Sequence, residues 1–311
     1  MMHYLILTPD GVGSTILQRL LTMALYIENE AVRNTHELTN GLELVDGVVT
    51  KNFAINYDQT LSDIQKLVKL SEPKVILVSR LAKYHIDARE DKIEYQENFY
   101  KFLNQKYNTI IMCERKNIFE YALSWSIREK SGILNIYSQD DRKKVLEVSE
   151  VDEDYFLRKC REYVAYTKWI DANFPNVQKV TYEQLLTETD QVLEKFTGYR
   201  DTFQNKFGST LTDIIKYEYD AFRSITNKEK NVLNNEQIKS LAKYRLLAKN
   251  MLEKNIIVSM PLKNTTLKDK QKQIKNFDAC LNKFYNFAKE YNWIDQSTAT
   301  YDFWNNTHVS N

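Results

Sequence analysis

Residues 3–15 read HYLILTPDGVGST, and this stretch decides the fold. Its apolar run at residues 3–8 predicts a short buried strand that ends at Pro9. A glycine-rich turn comes next, and the hydroxyl side chains of Ser14 and Thr15 stand at the predicted start of a helix. A strand, a tight turn and a helix N-terminus in succession bring unpaired backbone N–H groups and the positive end of the helix dipole to one point. The sequence therefore predicts an anion-binding loop.

The scarcity of glycine gives this turn more weight. The 311 residues contain only 7 Gly and 4 Pro, whereas average usage is about 7% and about 5% of a chain. Such a chain is not a turn-rich sandwich, a low-complexity linker or a collagen-like repeat. Because two of the seven glycines are Gly11 and Gly13, we expect the backbone there to approach a ligand closely.

The composition is that of a globular protein with nearly balanced charge. Its 43 basic and 42 acidic residues give a net charge of +1, which predicts neither nucleic acid nor a membrane as the main partner. The longest apolar stretches are too short to span a bilayer. Three cysteines without a CxxC spacing predict neither a disulfide framework nor a metal site, and we expect a cytoplasmic protein.

Short apolar strands alternate with helices along the chain. Further strands are predicted at residues 74–79, 109–113 and 177–181. Helices are predicted at residues 118–130, 152–172, 235–253 and 267–291. This alternation predicts an α/β fold with a parallel sheet flanked by helices. We expect residues 1–200 to form the α/β core and residues 201–311 to form a mainly helical extension, packed on the core as one structural unit.

Two familiar phosphate-binding motifs do not fit the turn. A nucleoside-triphosphate kinase has the pattern G-x-x-x-x-G-K-[ST], but the residue before Ser14 is Gly13 rather than Lys. A dinucleotide-binding fold has the pattern G-x-G-x-x-G, but Ile16 stands at the position of the third glycine. The turn therefore belongs to neither class.

The turn resembles the 5′-phosphosulfate loop of sulfotransferases that use 3′-phosphoadenosine 5′-phosphosulfate (PAPS). That loop reads roughly P-[KR]-S-G-[ST]-T and leads into an apolar helix, as the turn does here. The resemblance implies a P-loop-like sulfotransferase architecture. It also implies that the cofactor is bound by five consecutive residues, Gly11, Val12, Gly13, Ser14 and Thr15.

One position of the loop departs from the family pattern. Gly11 stands where the family carries a cation, which helps to neutralise the charge that develops on the bridging oxygen during transfer. Two basic residues near the end of the second predicted strand, Lys83 and Arg80, are the candidates to supply this charge.

The third strand and its helix resemble a second signature of the family, a strand followed by R-N-P and by a Ser eight positions after the Arg. In the family, the Arg and the Ser bind the 3′-phosphate of the nucleotide. Here Ser124 lies eight positions after Lys116 and nine after Arg115. The resemblance implies that Ser124 binds this phosphate together with either cation. The alternative is that Ser124 only bonds to its own helix backbone.

A third segment, residues 179–198, resembles the family segment [RK]-Y-E-D-L with its following helix. The segment is architectural in the family, so the resemblance implies that Tyr182 is a packing residue. Later in the chain, Lys263, Lys268 and Lys270 either replace a basic loop that the family uses or form a solvated helix start.

Sulfuryl transfer to a hydroxyl needs a base, and His is the usual choice near neutral pH. Many cytosolic sulfotransferases carry K-T-H after the second strand, and this chain has K-Y-H. The resemblance implies that His85 is the base and that Lys83 contacts the sulfate. His36 is the second candidate, and Glu37 or Glu114 follow because some family members use a carboxylate.

These features predict a sulfotransferase that moves a sulfuryl group from PAPS to a hydroxyl or amine acceptor and leaves 3′-phosphoadenosine 5′-phosphate (PAP). The acceptor is a small molecule, a carbohydrate or a peptide. The alternatives are a phosphotransferase of the nucleotide-kinase kind and a degenerate member that binds a nucleotide without turnover. The oligomeric state is open.

Overall fold

The computed structural model describes twelve stretches of the chain, which are residues 3–9, 11–37, 43–45, 48–50, 76–82, 93–198, 202–214, 234–254, 256–257, 267–291, 299–302 and 307–310. The chain divides into two compact units, each made of two segments. The first contains Met1–Glu114 and Ile170–Met260, and the second contains Arg115–Trp169 and Pro261–Asn311. The division predicted at residue 200 falls inside the first unit.

The first unit is built on a parallel sheet. In chain order, the strands of this unit are β1 (Tyr4–Thr8), β2 (Val32–Glu37), β3 (Glu43–Val45), β4 (Val48–Thr50), β5 (Ile76–Ala82), β6 (Thr109–Glu114) and β7 (Gln178–Thr181). The sheet has the order β2-β5-β1-β6-β7, and each neighbouring pair is parallel. Strands β3 and β4 pair with each other as an antiparallel hairpin. The predicted α/β fold with a parallel sheet is confirmed.

The helices complete the alternation. In chain order they are α1 (Ser14–Glu28), α2 (Ile93–Lys106), α3 (Ile118–Ser131), α4 (Gln139–Glu147), α5 (Glu153–Asn173), α6 (Tyr182–Thr187), α7 (Thr189–Thr197), α8 (Thr202–Phe207), α9 (Asn235–Glu253), α10 (Leu267–Gln273) and α11 (Phe277–Glu290). Among the described residues, no helix is both long and apolar enough to cross a membrane.

Both faces of the sheet are covered, as a parallel sheet requires. Strand β1 is buried over its whole length, and α1 packs on one of its faces. On that face, the hydroxyl of Tyr4 donates to the carbonyl of Phe196 in α7 at 3.3 Å. On the other face, the hydroxyl of Tyr107, which follows α2, donates to Ser79 of β5 at 2.9 Å. Helix α8 contacts α1 as well, so residues beyond 200 belong to the first unit.

The second unit has an aromatic core. Phe119 of α3 meets Phe156, Phe277 and Phe284 edge to face, with ring centroids 5.2–5.5 Å apart. The last strands of the chain, β8 (Ala299–Asp302) and β9 (Thr307–Ser310), form an antiparallel hairpin. Helices α10 and α11 therefore pack against α3 and α5 within the second unit.

Two elements differ from the prediction. The sequence gives no apolar run for β2, VRNTHE, because this strand lies at an edge of the sheet. The helix predicted over residues 267–291 breaks into α10 and α11. At the break, the side-chain amide of Asn276 donates to the carbonyl of Val151 at 2.9 Å, and the N–H of Lys275 donates to the carbonyl of Ser149 at 2.8 Å. These bonds take the place of the helical ones.

Candidate functional site

The topology of the sheet singles out the loop after β1. From β1 the chain passes through α1 to β2 at one edge, whereas from β6 it passes to β7 at the opposite edge. Strands β1 and β6 are neighbours, so the connections that leave their carboxyl ends diverge. Ligands of open parallel sheets bind outside the carboxyl ends of the strands at such a switch point.

The backbone of this loop depends on its two glycines. Gly11 and Gly13 have φ angles of 69° and 83°, in the left-handed region that other residues rarely adopt. Between them Val12 is completely buried, and its carbonyl accepts a hydrogen bond from Sγ of Cys113 in β6 at 3.1 Å. Gly13 is the N-cap of α1 and has no side chain to cap it. The N–H groups of the first turn are therefore left for a ligand.

Tyr182 closes one side of the loop. A Cβ atom on Gly13 would overlap Cδ2 of the Tyr182 ring, so the ring and the loop backbone touch. The backbone that carries this ring is held at the start of α6, where Thr181, the N-cap, accepts a hydrogen bond from the N–H of Gln184 at 3.1 Å. The predicted packing role of Tyr182 matches this contact.

Arg80 of β5 brings a positive charge to the loop. Its Nη1 donates to the hydroxyls of Ser14 and Thr15, and the distance to Ser14 Oγ is 3.4 Å. The Arg80 side chain is 8% exposed, so its charge is screened less than a surface charge would be. The first turn of α1 carries no acidic residue. Helix dipole, N–H groups and guanidinium therefore all favour an anion at one place.

Cys113 is a neutral donor beneath the loop. Burial raises the pKa of its thiol far above the ordinary value, and the carboxylates of Glu114 and Glu183 add to the effect while Arg80 opposes it. Because the thiolate is the nucleophilic form of cysteine, Cys113 supports the loop and does not attack a substrate near neutral pH.

The structure describes only some of the predicted bases. Lys83 and His85 lie outside the described residues. His36 lies on β2, where its register partner is Ser79 of β5. Burial raises the pKa of Glu114 at the end of β6 above its ordinary value. Lys179 opposes this effect, whereas the carboxylates of Asp171 and Glu183 add to it.

The residues predicted to hold the 3′-phosphate lie in the second unit. Lys116 is exposed, and Arg115 forms an ion pair with Glu120 at 2.8 Å. The hydroxyl of Ser124 donates to the backbone carbonyl of Glu120 at 2.7 Å. The bond to its own helix, which the sequence left as the alternative for Ser124, is therefore present.

Lys270 joins this cluster, which the sequence did not foresee. It is 1% exposed, and its Nζ lies 2.8 Å from Ser124 Oγ and 3.0 Å from Glu120 Oε1. A solvated helix start is therefore wrong for Lys270, although Lys268 is exposed. The spacing of Lys270 in the sequence could have predicted its burial, because Lys270 lies at helical intervals from Leu267 and Ile274, which are both buried.

The cluster holds two cations and one carboxylate. Burial lowers the pKa of Lys270 to about 8, although Glu120 opposes this effect. Burial disfavours the ionised form of Glu120 as well, but Lys270 and Arg115 together lower the pKa of Glu120 to about 2. The carboxylate is therefore ionised at neutral pH, and the three side chains carry an excess of positive charge.

No protein-family model matches the chain, and no curated protein matches its sequence. The chain is similar to a crystal structure of retinol dehydratase in complex with androsterone and the inactive cofactor PAP, with 13% identity, a TM-score of 0.38, and coverage of 93% of this chain and 81% of that chain. A second structure, of retinol dehydratase with retinol and PAP, gives 12% identity, a TM-score of 0.37 and the same coverage. A likeness of this size carries no argument about function.

Proposed function

We propose that the protein is a sulfotransferase that moves a sulfuryl group from PAPS to a hydroxyl or amine of a small-molecule, carbohydrate or peptide acceptor, with PAP as the second product. The observation that carries this proposal is the contact of Arg80 with Ser14 and Thr15 at the glycine loop. Through this contact, Arg80 supplies the positive charge that the loop sequence lacks at Gly11.

The residues present fit the 5′-phosphosulfate group. The φ angles of Gly11 and Gly13 fold the backbone tightly after β1, and the first turn of α1 offers N–H donors. Arg80 adds a planar fork of donors, which suits the oxygens of phosphate and sulfate. Such a loop recognises an anion without the lysine of a kinase loop.

These residues also suit the chemistry of transfer. Bound PAPS supplies the sulfuryl group, and negative charge develops on the oxygen that links it to the 5′-phosphate. Arg80 and the N–H groups of the first turn would hold this charge in a partly buried place, where fixed donors stabilise it strongly. A base must take the proton of the acceptor, and His85 and His36 are the candidates that the resemblance and the spacing supply.

For the 3′-phosphate, the family resemblance assigns Ser124 with Lys116 or Arg115. The excess positive charge around Glu120 and Lys270 supports an anionic ligand in the second unit. This part of the proposal rests on the sequence pattern together with that charge.

Calorimetric titration of the protein with PAP tests the function. We expect PAP to bind at sub-millimolar concentration, and we expect ATP with Mg²⁺ to bind more weakly. Tighter binding of ATP with Mg²⁺ would support a phosphotransferase instead. The absence of PAP binding in this range would contradict the proposal, and binding without transfer to any acceptor would identify a degenerate member.

A further inference from the structure

Tyr163 of α5 holds the backbone of Arg115 through two hydrogen bonds. The Tyr163 hydroxyl accepts a bond from the N–H of Arg115 at 2.7 Å and donates one to the carbonyl of the same residue at 3.0 Å. A single hydroxyl can do both because it has one donor and free acceptor capacity. Arg115 lies in the short connection between the end of β6 and Asn117, the N-cap of α3. A side chain from another helix therefore holds the chain at the point where the strand gives way to α3.

The two bonds of Tyr163 lie in a buried place. The residue is 4% exposed, and its ring centroid is 4.8 Å from that of Tyr121 in α3. A hydrogen bond that is shielded from water is costly to lose, because a buried backbone group without its partner keeps its desolvation penalty. Tyr163 therefore fixes the position of the Arg115 backbone.

Glu120 holds the other end of Arg115. Nη2 of the guanidinium lies 2.8 Å from Oε2 of Glu120, in the first turn of α3. The backbone carbonyl of Glu120 accepts the hydroxyl of Ser124, and the two residues share a face of the helix because they are spaced i, i+4. The guanidinium therefore lies on the face of α3 that carries Ser124, the residue that the family resemblance assigns to the 3′-phosphate.

Lys116, the other cation that the sequence offers for this phosphate, is exposed. A long side chain loses conformational freedom when it binds a ligand, so a cation that the protein already holds in place binds a phosphate more tightly than a solvated one. The two contacts of Arg115, at its backbone and at its guanidinium, favour it as the partner of Ser124.

We propose that Tyr163 is a positioning residue of the 3′-phosphate site and acts through Arg115, an assignment that rests on the proposed function. The Tyr163 hydroxyl holds the Arg115 backbone, so that the guanidinium presents its planar fork of donors to the 3′-phosphate of PAPS or PAP. Tyr163 affects the nucleotide only by way of this guanidinium.

A comparison of two nucleotides in Tyr163→Phe tests this assignment. PAP carries the 3′-phosphate and adenosine 5′-phosphate lacks it, so calorimetry with both separates this phosphate from the rest of the ligand. Tyr163→Phe keeps the ring beside Tyr121 and removes both bonds to Arg115. We expect the variant to raise the Kd of PAP by about fivefold to thirtyfold, because Arg115 is no longer held, and to leave the Kd of adenosine 5′-phosphate unchanged.

Tyr166→Phe is the matched control, because Tyr166 is a buried tyrosine of the same helix whose ring lies 5.7 Å from that of Trp169. We expect this control to keep the Kd of both nucleotides. Wild-type affinity for PAP in Tyr163→Phe would overturn the assignment. An equal loss for the two nucleotides would overturn it as well, because it would indicate a general structural defect.

A double-mutant cycle shows whether Tyr163 acts through Arg115. Arg115→Ala keeps the backbone groups that Tyr163 binds but removes the guanidinium, so we expect it to weaken PAP binding by itself. In the Arg115→Ala background we expect Tyr163→Phe to change the Kd of PAP no further. Wild-type affinity for PAP in Arg115→Ala, or an equal effect of Tyr163→Phe in both backgrounds, would overturn the assignment. Failure of the wild type to bind PAP would instead contradict the proposed function, and the assignment would fall with it.

Discussion

At the scale of single residues, the chemistry that we propose for the loop depends on Arg80. The charge that the loop lacks at Gly11 arrives from the neighbouring strand β5, through a side chain that crosses to the first turn of α1. The sequence could name Arg80 and Lys83 as sources of this charge, but it could not choose between them. The reach of a side chain from a strand to a neighbouring helix depends on how the two elements pack, which the order of residues does not display.

Substitution of Gly13 by Ala tests how tightly the loop is packed. At a φ of 83° a Cβ atom is strained, and here it also overlaps the ring of Tyr182. We expect Gly13→Ala to lower the free energy of unfolding by more than the roughly 1–2 kcal/mol of the left-handed backbone alone. Urea denaturation measures the loss.

Gly132 is the matched control for this substitution. Its φ is 69°, and a Cβ atom there would meet nothing within 4 Å. We expect Gly132→Ala to show only the backbone cost, and we expect Tyr182→Ala to recover part of the loss caused by Gly13→Ala. Equal losses at Gly13 and Gly132 would show that the ring does not restrict the loop.

Lys270 gives the stability a defined pH dependence. Its pKa falls to about 8 in the folded chain from an ordinary value of 10.5. Between these two pH values the unfolded chain binds more protons, so the free energy of unfolding rises as the pH rises. We expect urea denaturation to show this gain between pH 7.5 and 9.5 in the wild type and to show less of it in Lys270→Met.

Lys268 lies on the same helix but is exposed, so Lys268→Met serves as the control and we expect it to retain the pH dependence of the wild type. An identical pH profile in Lys270→Met and the wild type would mean that the buried ammonium does not titrate in this range.

At the scale of elements, the sequence predicted what local patterns encode. The strands β1, β6 and β7 and the helices α3, α5 and α9 are bounded by apolar runs, caps and turn residues, and their predicted ranges agree closely with the structure. The edge strand β2 was missed because its sequence is polar. The shift in register between Asn34 and His36 of β2 was missed as well, because it exists only in relation to the residues of β5.

The break between α10 and α11 also depends on contacts with a distant part of the chain. Asn276 binds Val151 in both directions, since its amide donates to the Val151 carbonyl at 2.9 Å and its oxygen accepts from the Val151 N–H at 3.2 Å. We expect Asn276→Ala to lower the free energy of unfolding by about 1–3 kcal/mol, because both Val151 groups lose their partner.

The exposed Asn282 of α11 offers the control, and we expect Asn282→Ala to change the stability by less than about 0.5 kcal/mol. Thermal and urea unfolding of the two variants decide the matter. Similar losses in both variants would show that the bonds to Val151 do not hold the break.

At the scale of the whole molecule, the chain interleaves its two units. Each unit is made of two separate segments, and the predicted division at residue 200 coincides with none of the three boundaries, which follow Glu114, Trp169 and Met260. Contacts such as that of Phe119 with Phe284 join residues that lie far apart in the sequence. Composition and periodicity report local structure, so they could not reveal this pairing.

The anion loop is the part of the molecule on which the proposed function depends, and a comparison of two nucleotides tests this proposal most directly. Calorimetry gives the Kd of PAP and of adenosine 3′-phosphate, which lacks the 5′-phosphate, for the wild type, for Arg80→Ala and for the exposed control Arg158→Ala. We expect Arg80→Ala to weaken PAP binding by about 1.5–3 kcal/mol, which is roughly tenfold to a hundredfold or slightly more. We expect adenosine 3′-phosphate to bind Arg80→Ala and the wild type alike, and Arg158→Ala to change neither Kd. Equal losses for the two nucleotides in Arg80→Ala, or no loss for PAP, would contradict the placement of the 5′-phosphosulfate at this loop.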